Sequence, residues 1–155
     1  MSRSLEVGSK APDFSCAADG DRQVSLADFT GKKLVIYFYP KDDTPGCTTE
    51  AIEFTANHNA FTAANTEIVG VSADSVEKHE KFKTKHNLGV TLLSDPDQKM
   101  LKAYGVWVEK NMYGRKYMGI ERATFLVGED GKILNIWRKV RVKGHVDAVL
   151  EAVGA

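Results

Sequence analysis

Leu34-Val35-Ile36-Tyr37-Phe38-Tyr39 runs straight into Pro40-Lys41-Asp42-Asp43-Thr44-Pro45-Gly46-Cys47-Thr48-Thr49-Glu50, and this junction decides the fold. The first six residues are aliphatic or aromatic with no polar break, the composition of a strand covered on both faces. Beyond the loop, apolar residues return at helical spacing through Ala51, Ile52, Phe54, Ala60 and Phe61, which predicts a helix running to about Ala64. Cys47 therefore stands where a buried strand hands over to a helix. The first turn of a helix offers unpaired N–H groups and the positive end of the helix dipole, and both favour a thiolate over a thiol. Pro40 and Pro45 stiffen the loop, Gly46 permits close approach, and Thr44 brings a hydroxyl three residues before the sulfur. The competing reading makes Cys47 a small buried hydrophobe.

Outward from this junction the chain reads as alternating strands and helices. Residues 10–26 predict an opening hairpin, Ala11 to Cys16 and Gln23 to Leu26, turning at Asp19-Gly20-Asp21. Leu26 to Phe29 reads as a helical turn closed by Gly31. After the Cys47 helix come a buried strand, Thr66 to Ser72, a helix from Val76 to His86 capped by Ser75, a strand from Thr91 to Ser94, and a short helix headed by Asp95 or Asp97. Val106-Trp107-Val108 opens a polar, Gly-containing excursion. Arg122 to Val127 and Lys132 to Trp137, joined across Gly128 and Gly131, predict an antiparallel hairpin, followed by an extended piece at Val140 to Val142 and a terminal helix from Gly144 to Val153. Parallel β-α-β units followed by a hairpin and a helix predict an α/β fold, a central mixed sheet flanked by helices, as a single domain over 1–155.

Composition narrows the function. Lys+Arg and Asp+Glu both number 21 in 155 residues, and a net charge of zero argues against nucleic acid or an anionic membrane as partner. Met1 to Gly8 lacks an apolar signal core and no run approaches a membrane span, so the cytoplasm is the expected location. The two cysteines, Cys16 and Cys47, match neither a disulfide framework nor a zinc site, and no metal or other cofactor is expected. A Cys-His hydrolase is disfavoured because His58 would lie about 16 Å further along the Cys47 helix; His79, His86 and His145 read as solvated. A dithiol oxidoreductase is excluded because Thr44 occupies the place of the first thiol of a Cys-x-x-Cys pair.

Pro40, Thr44 and Cys47, spaced as P-x-x-x-T-x-x-C, resemble the active-site signature of peroxiredoxins. The longer stretch Tyr37 to Glu50 is similar to their bacterioferritin-comigratory, or Q-type, branch. Ala11-Pro12-Asp13-Phe14, Met112-Tyr113-Gly114-Arg115 and Gly119 to Leu126 extend the resemblance over nearly the whole chain. It implies the thioredoxin-like fold and a thiol peroxidase that reduces hydrogen peroxide and organic hydroperoxides through a Cys47 sulfenic acid. It further implies that Arg122 arrives from a late strand to bind the thiolate and the departing oxygen, that Thr44 hydrogen-bonds the peroxide, and that Pro40 walls the pocket. Glu50 would orient the arginine, or else only complement the helix dipole; Arg115 and Lys116 read as surface charges.

The resemblance breaks at one position. Q-type proteins often carry a resolving thiol five residues after the peroxidatic one, and Ile52 stands there. Cys16 is then the only internal candidate to resolve the sulfenic acid, with a passive thiol as its alternative. Otherwise thioredoxin, glutaredoxin with glutathione, or another small thiol attacks directly. The resemblance implies a monomer. A different class of protein, a redox sensor or holdase using the same reactive Cys47, is distinguished by lack of turnover.

Overall fold

Strand-forming runs pair as their alternation dictates. The computed structural model describes residues 5–154; residues 1–4 and 155, the two ends of the expected 1–155 domain, lie outside the described residues. Ser15–Ala18 (β1) and Arg22–Ser25 (β2) pair antiparallel about the Asp19 to Asp21 turn, and a 3-10 turn follows at Leu26–Phe29. Then come Lys33–Phe38 (β3), Pro45–Ala56 (α1), His58–Ala63 (α2), Thr66–Ser72 (β4), Val76–His86 (α3), Thr91–Ser94 (β5) and Lys99–Ala103 (α4). Trp107–Met112 (β6), Arg115–Ile120 (β7), Ala123–Val127 (β8), Ile133–Trp137 (β9) and His145–Ala152 (α5) complete the chain.

Seven strands form one mixed sheet in the order β2-β1-β5-β4-β3-β8-β9. Strands β3, β4 and β5 are parallel, joined by helical crossovers, while β1 and β8 run antiparallel to their neighbours β5 and β3. This is the expected thioredoxin-like arrangement of helices against a mixed sheet. Period-two alternation along the central strand divides the interior. Leu34, Ile36 and Phe38 face one core with Cys16, Met100, Tyr104 and Phe125, whereas Val35, Tyr37 and Tyr39 face another with Cys47, Phe54, Phe61 and Val149.

Four local expectations need correction. The helix after Cys47 does not reach Ala64 unbroken: Asn57 turns its side chain back onto the Glu53 carbonyl at 2.9 Å, ending α1, and α2 starts afresh. The polar excursion after Val106 is an antiparallel hairpin, β6 and β7, turned by Tyr113 and Gly114, both at positive φ. Met112, Tyr117 and Met118 stay exposed among its charged residues, so apolar and polar positions do not alternate along it. Neither Asp95 nor Asp97 heads α4; Gln98 does, and the Asp95 carboxylate instead accepts from the Leu101 amide. Val140 to Val142 forms no strand, although the Val140 amide binds the Arg122 carbonyl at 3.0 Å. By contrast Ser75 caps α3 as expected, accepting from the Lys78 amide.

Gly70 on β4 is a glycine for want of space. A Cβ built there would sit 2.6 Å from Cζ and 2.7 Å from the hydroxyl of Tyr37, whose ring stacks on Phe54 in the core beneath α1. Gly70→Ala is therefore expected to destabilise the protein by about 1–3 kcal/mol, read as a lower urea midpoint; an unchanged midpoint would contradict this packing.

Candidate active site

Register brings the sequence-predicted residues together. Phe38, the last residue of β3, pairs with Ala123, the first of β8, so Arg122 arrives just where the chain leaves the sheet for the Cys47 loop. Pro45 occupies the first turn of α1, where its missing N–H costs nothing, and Thr44 is the N-cap residue. The Thr44 hydroxyl donates to the Lys41 carbonyl at 2.9 Å rather than capping the helix, which leaves its oxygen able to accept. Cys47 is 2% exposed. Its sulfur is not sealed in hydrocarbon: Arg122 Nη2 lies 3.3 Å away, and the arginine side chain keeps 16% of its surface in solvent.

The guanidinium is shared. Arg122 Nη1 donates to Glu50 Oε1 at 2.6 Å while Nη2 faces Cys47 Sγ, so one planar fork spans a carboxylate and a sulfur that stand one helical turn apart on α1. Gly46 makes room for it, since a Cβ there would lie 3.2 Å from Arg122 Nη2. Glu50 is wholly buried and its Oε2 has no hydrogen-bond partner among the described residues. Burial outweighs the attraction of Arg122 and lifts the Glu50 carboxyl from its ordinary 4.5 to about 7. Arg122 is pushed the other way from what its own burial favours, its cationic form held by Glu50 and Cys47. Pro40 is exposed at the entrance to the loop.

Three residues near this centre escaped sequence reasoning. His145, expected in solvent, is buried; its Nε2 lies 2.8 Å from Thr124 Oγ1, and burial together with the Arg122 charge lowers its pKa to about 4, so the ring is neutral. His79, also expected in solvent, is fully buried against Asp42 at 2.6 Å. His79 lies in a largely polar helix and His145 opens an amphipathic one, and in neither does residue spacing reveal the partner across the chain. Lys110 on β6 lays its stem across Gly119, and burial plus the nearby Arg122 charge lower its pKa from the ordinary lysine value. Arg115 and Lys116 are exposed, as expected.

Cys16 is not brought to this site. It lies on β1 in the other core, its sulfur 3.9 Å from Met100 Sδ, with the central sheet between it and Cys47. Burial and the Asp95 charge push its thiol up to about 11, which keeps it protonated and a poor nucleophile. Among the described residues no cluster of His, Cys, Asp and Glu could hold a metal ion, and no helix is long and apolar enough to cross a membrane.

A thioredoxin-like sheet carrying a single thiol at a strand-to-helix junction, under an arginine, defines a thiol peroxidase of the peroxiredoxin class. The sequence matches the AhpC/TSA family over residues 7–136. It is 50% identical over 149 residues to peroxiredoxin Bcp of Bacillus subtilis (strain 168), covering 96% of this chain and 95% of that one. It is 51% identical over 147 residues to a putative peroxiredoxin bcp of Coxiella burnetii, covering 95% and 97%. Among solved structures it resembles the Xanthomonas campestris bacterioferritin comigratory protein, described in terms of its alkyl peroxide reduction activity, at TM-score 0.89 and 46% identity over 96% of this chain and 95% of that one. The chain belongs to the AhpC/TSA family, in its Bcp, or peroxiredoxin Q, branch.

The raised Glu50 carboxyl fixes a pH dependence. Between about 4.5 and about 7 the folded protein holds a proton on Glu50 that the unfolded chain has released, so stability falls as pH rises through that window and levels off above it. The contribution is on the order of 3 kcal/mol. Glu50→Gln is expected to abolish it, compared with wild type as the change in urea midpoint between pH 5 and pH 7.

Proposed function

We propose that Cys47 is the peroxidatic thiol, acting on hydrogen peroxide and on organic hydroperoxides. The observation that carries this is the 3.3 Å approach of Arg122 Nη2 to Cys47 Sγ. A cation with fixed N–H donors favours the thiolate and is positioned to bind the oxygen that departs. The Cys47 thiolate attacks one peroxide oxygen, an S–O bond forms as the O–O bond breaks, and the other oxygen leaves with the electron pair and takes up a proton. The products are a Cys47 sulfenic acid and water or an alcohol. Thr44 accepts a hydrogen bond from the peroxide, Pro40 shields the mouth of the site, and Glu50 holds the guanidinium in register.

Reduction of the sulfenic acid falls to an external thiol. Ile52 stands where an intrahelical resolving cysteine would be, and Cys16 is held protonated across the sheet, so we read Cys16 as a passive thiol. An incoming thiol forms a mixed disulfide with Cys47 and releases water; a second thiol then frees Cys47. Thioredoxin, or glutaredoxin with glutathione, supplies both, and the chain works as a monomer in the cytoplasm.

One equivalent of peroxide is expected to add one oxygen, about 16 Da, in both wild type and Cys16→Ser, and nothing in Cys47→Ser. Loss of two hydrogens in wild type would mean a Cys16–Cys47 disulfide and overturn the one-cysteine cycle. Continuous NADPH consumption with thioredoxin, its reductase and peroxide separates the peroxidase from a sensor or holdase, which would oxidise once and stop. Arg122→Ala is expected to slow Cys47 oxidation by roughly 10²–10³-fold in stopped-flow measurements.

A further inference from the structure

The active-site loop is tied to the body of the protein by a buried chain of polar groups that the peroxide chemistry does not use. Asp42 lies between Pro40 and Thr44. Its Oδ1 accepts from the Tyr39 hydroxyl at 2.5 Å, and its Oδ2 lies 2.6 Å from His79 Nδ1 on α3. His79 Nε2 lies 2.8 Å from the carbonyl of Leu93 on β5. A carbonyl only accepts, so Nε2 carries a proton; a second proton is then shared between Nδ1 and the Asp42 carboxylate, because otherwise two acceptors would face each other. Tyr39 remains a donor, since burial raises its pKa well above the ordinary tyrosine value. The Asp42 amide adds a bond to Asp74 Oδ2 at 2.8 Å, and that carboxylate also accepts from Ser72.

Beside the contacts of Arg122 to Cys47 and Glu50 at the start of α1, these are the buried side-chain ties of the loop among the described residues. The other side-chain ties, Asp43 to Lys85 and His86, are exposed and individually weak. A thiol that attacks a sulfenic acid must reach its sulfur in line, and Cys47 is 2% exposed, so the loop and the first turn of α1 must move before reduction. Opening the loop means breaking the bonds of Asp42.

We propose that Tyr39, Asp42 and His79 form a latch that positions the Cys47 loop for attack on peroxide and sets how often it opens for the reducing thiol. The inference rests on the peroxidatic reading of Cys47. Closed and open forms then serve opposite half-reactions, and a weaker latch trades one for the other. These are positioning residues: among the described residues none of the three hydrogen-bonds Cys47, whose sulfur pairs with Arg122.

The test measures both half-reactions on the full chain, oxidation of Cys47 by hydrogen peroxide and reduction of the preformed sulfenic acid by dithiothreitol. Tyr39→Phe keeps the packed ring and loses one bond; it is expected to speed sulfenic acid reduction about fivefold, the equilibrium shift of one lost hydrogen bond, with oxidation changed less than about twofold because the closed form still predominates. Asp42→Ala loses both side-chain bonds and is expected to speed reduction about tenfold or more while slowing oxidation. Asp42→Asn can accept from Tyr39 and donate to a neutral His79, so both rates are expected near wild type. A purely structural role would not accelerate reduction. Unchanged or slower reduction in Tyr39→Phe, or Asp42→Asn behaving like Asp42→Ala, would overturn the latch; should Asp42→Ala fail to fold, Tyr39→Phe decides. Failure of wild-type Cys47 to react with peroxide would instead overturn the underlying reading, which the same oxidation measurement reports separately.

Discussion

One guanidinium, shared between a carboxylate and a sulfur, is the interaction on which the site depends. Arg122 reaches Glu50 with one nitrogen and Cys47 with the other. The fork is planar and always charged, so its two contacts are fixed relative to each other. Lysine, a point charge on a flexible stem, could satisfy either partner but would not impose the angle between them. Gly46, with nothing beyond its Cα, leaves the space that this arrangement occupies.

The arrangement is held against a cost. A carboxylate with no exposed surface and an unpartnered oxygen would not be ionised there without its arginine, and burial already lifts its pKa to about 7. Near neutrality Glu50 therefore sits close to its own titration. When ionised it neutralises part of the charge offered to the sulfur; when protonated it leaves that charge to Cys47 alone. Burial first, and the same positive charge second, keep His145 neutral and lower the pKa of Lys110, so Arg122 acts on its surroundings as well as on its partners.

The sheet separates the two thiols as effectively as distance does. Alternation along β3 sends Tyr37 and Tyr39 to the core of Cys47 and Ile36 and Phe38 to that of Cys16. Cys16 is protonated, packed beside Met100 and remote from the first turn of α1, where Cys47 lies. With Ile52 in place of an intrahelical partner, a cycle through an outside thiol needs access to a sulfur that the closed loop covers. That requirement gives the buried polar groups behind the loop their interest.

Local pattern determined much of this protein. An uninterrupted apolar run, a Pro- and Gly-bearing loop and a following helical period placed Cys47 at a strand-to-helix junction, and the hairpin turns and the Ser75 cap were legible from residue type and spacing alone. The resemblance over the loop and over Gly119 to Leu126 pointed to Arg122 and Glu50 beside Cys47, and the fold brings Arg122 within hydrogen-bonding distance of both. The β6–β7 hairpin was not legible, because its exposed residues mix charged side chains with Met112, Tyr117 and Met118, nor was the break at Asn57, which turns on a side chain bonding back to the Glu53 carbonyl. His79 and His145 were misread as solvated because a helix sequence does not say which of its polar residues meets a partner across the chain. Only the tertiary structure decided that Ala123 pairs with Phe38 and so carries Arg122 to the sulfur, that Cys16 lies behind the sheet, and that Asp42 is buried against His79. Such contacts join residues far apart in the chain, and they are fixed by strand register and burial, which no local periodicity encodes.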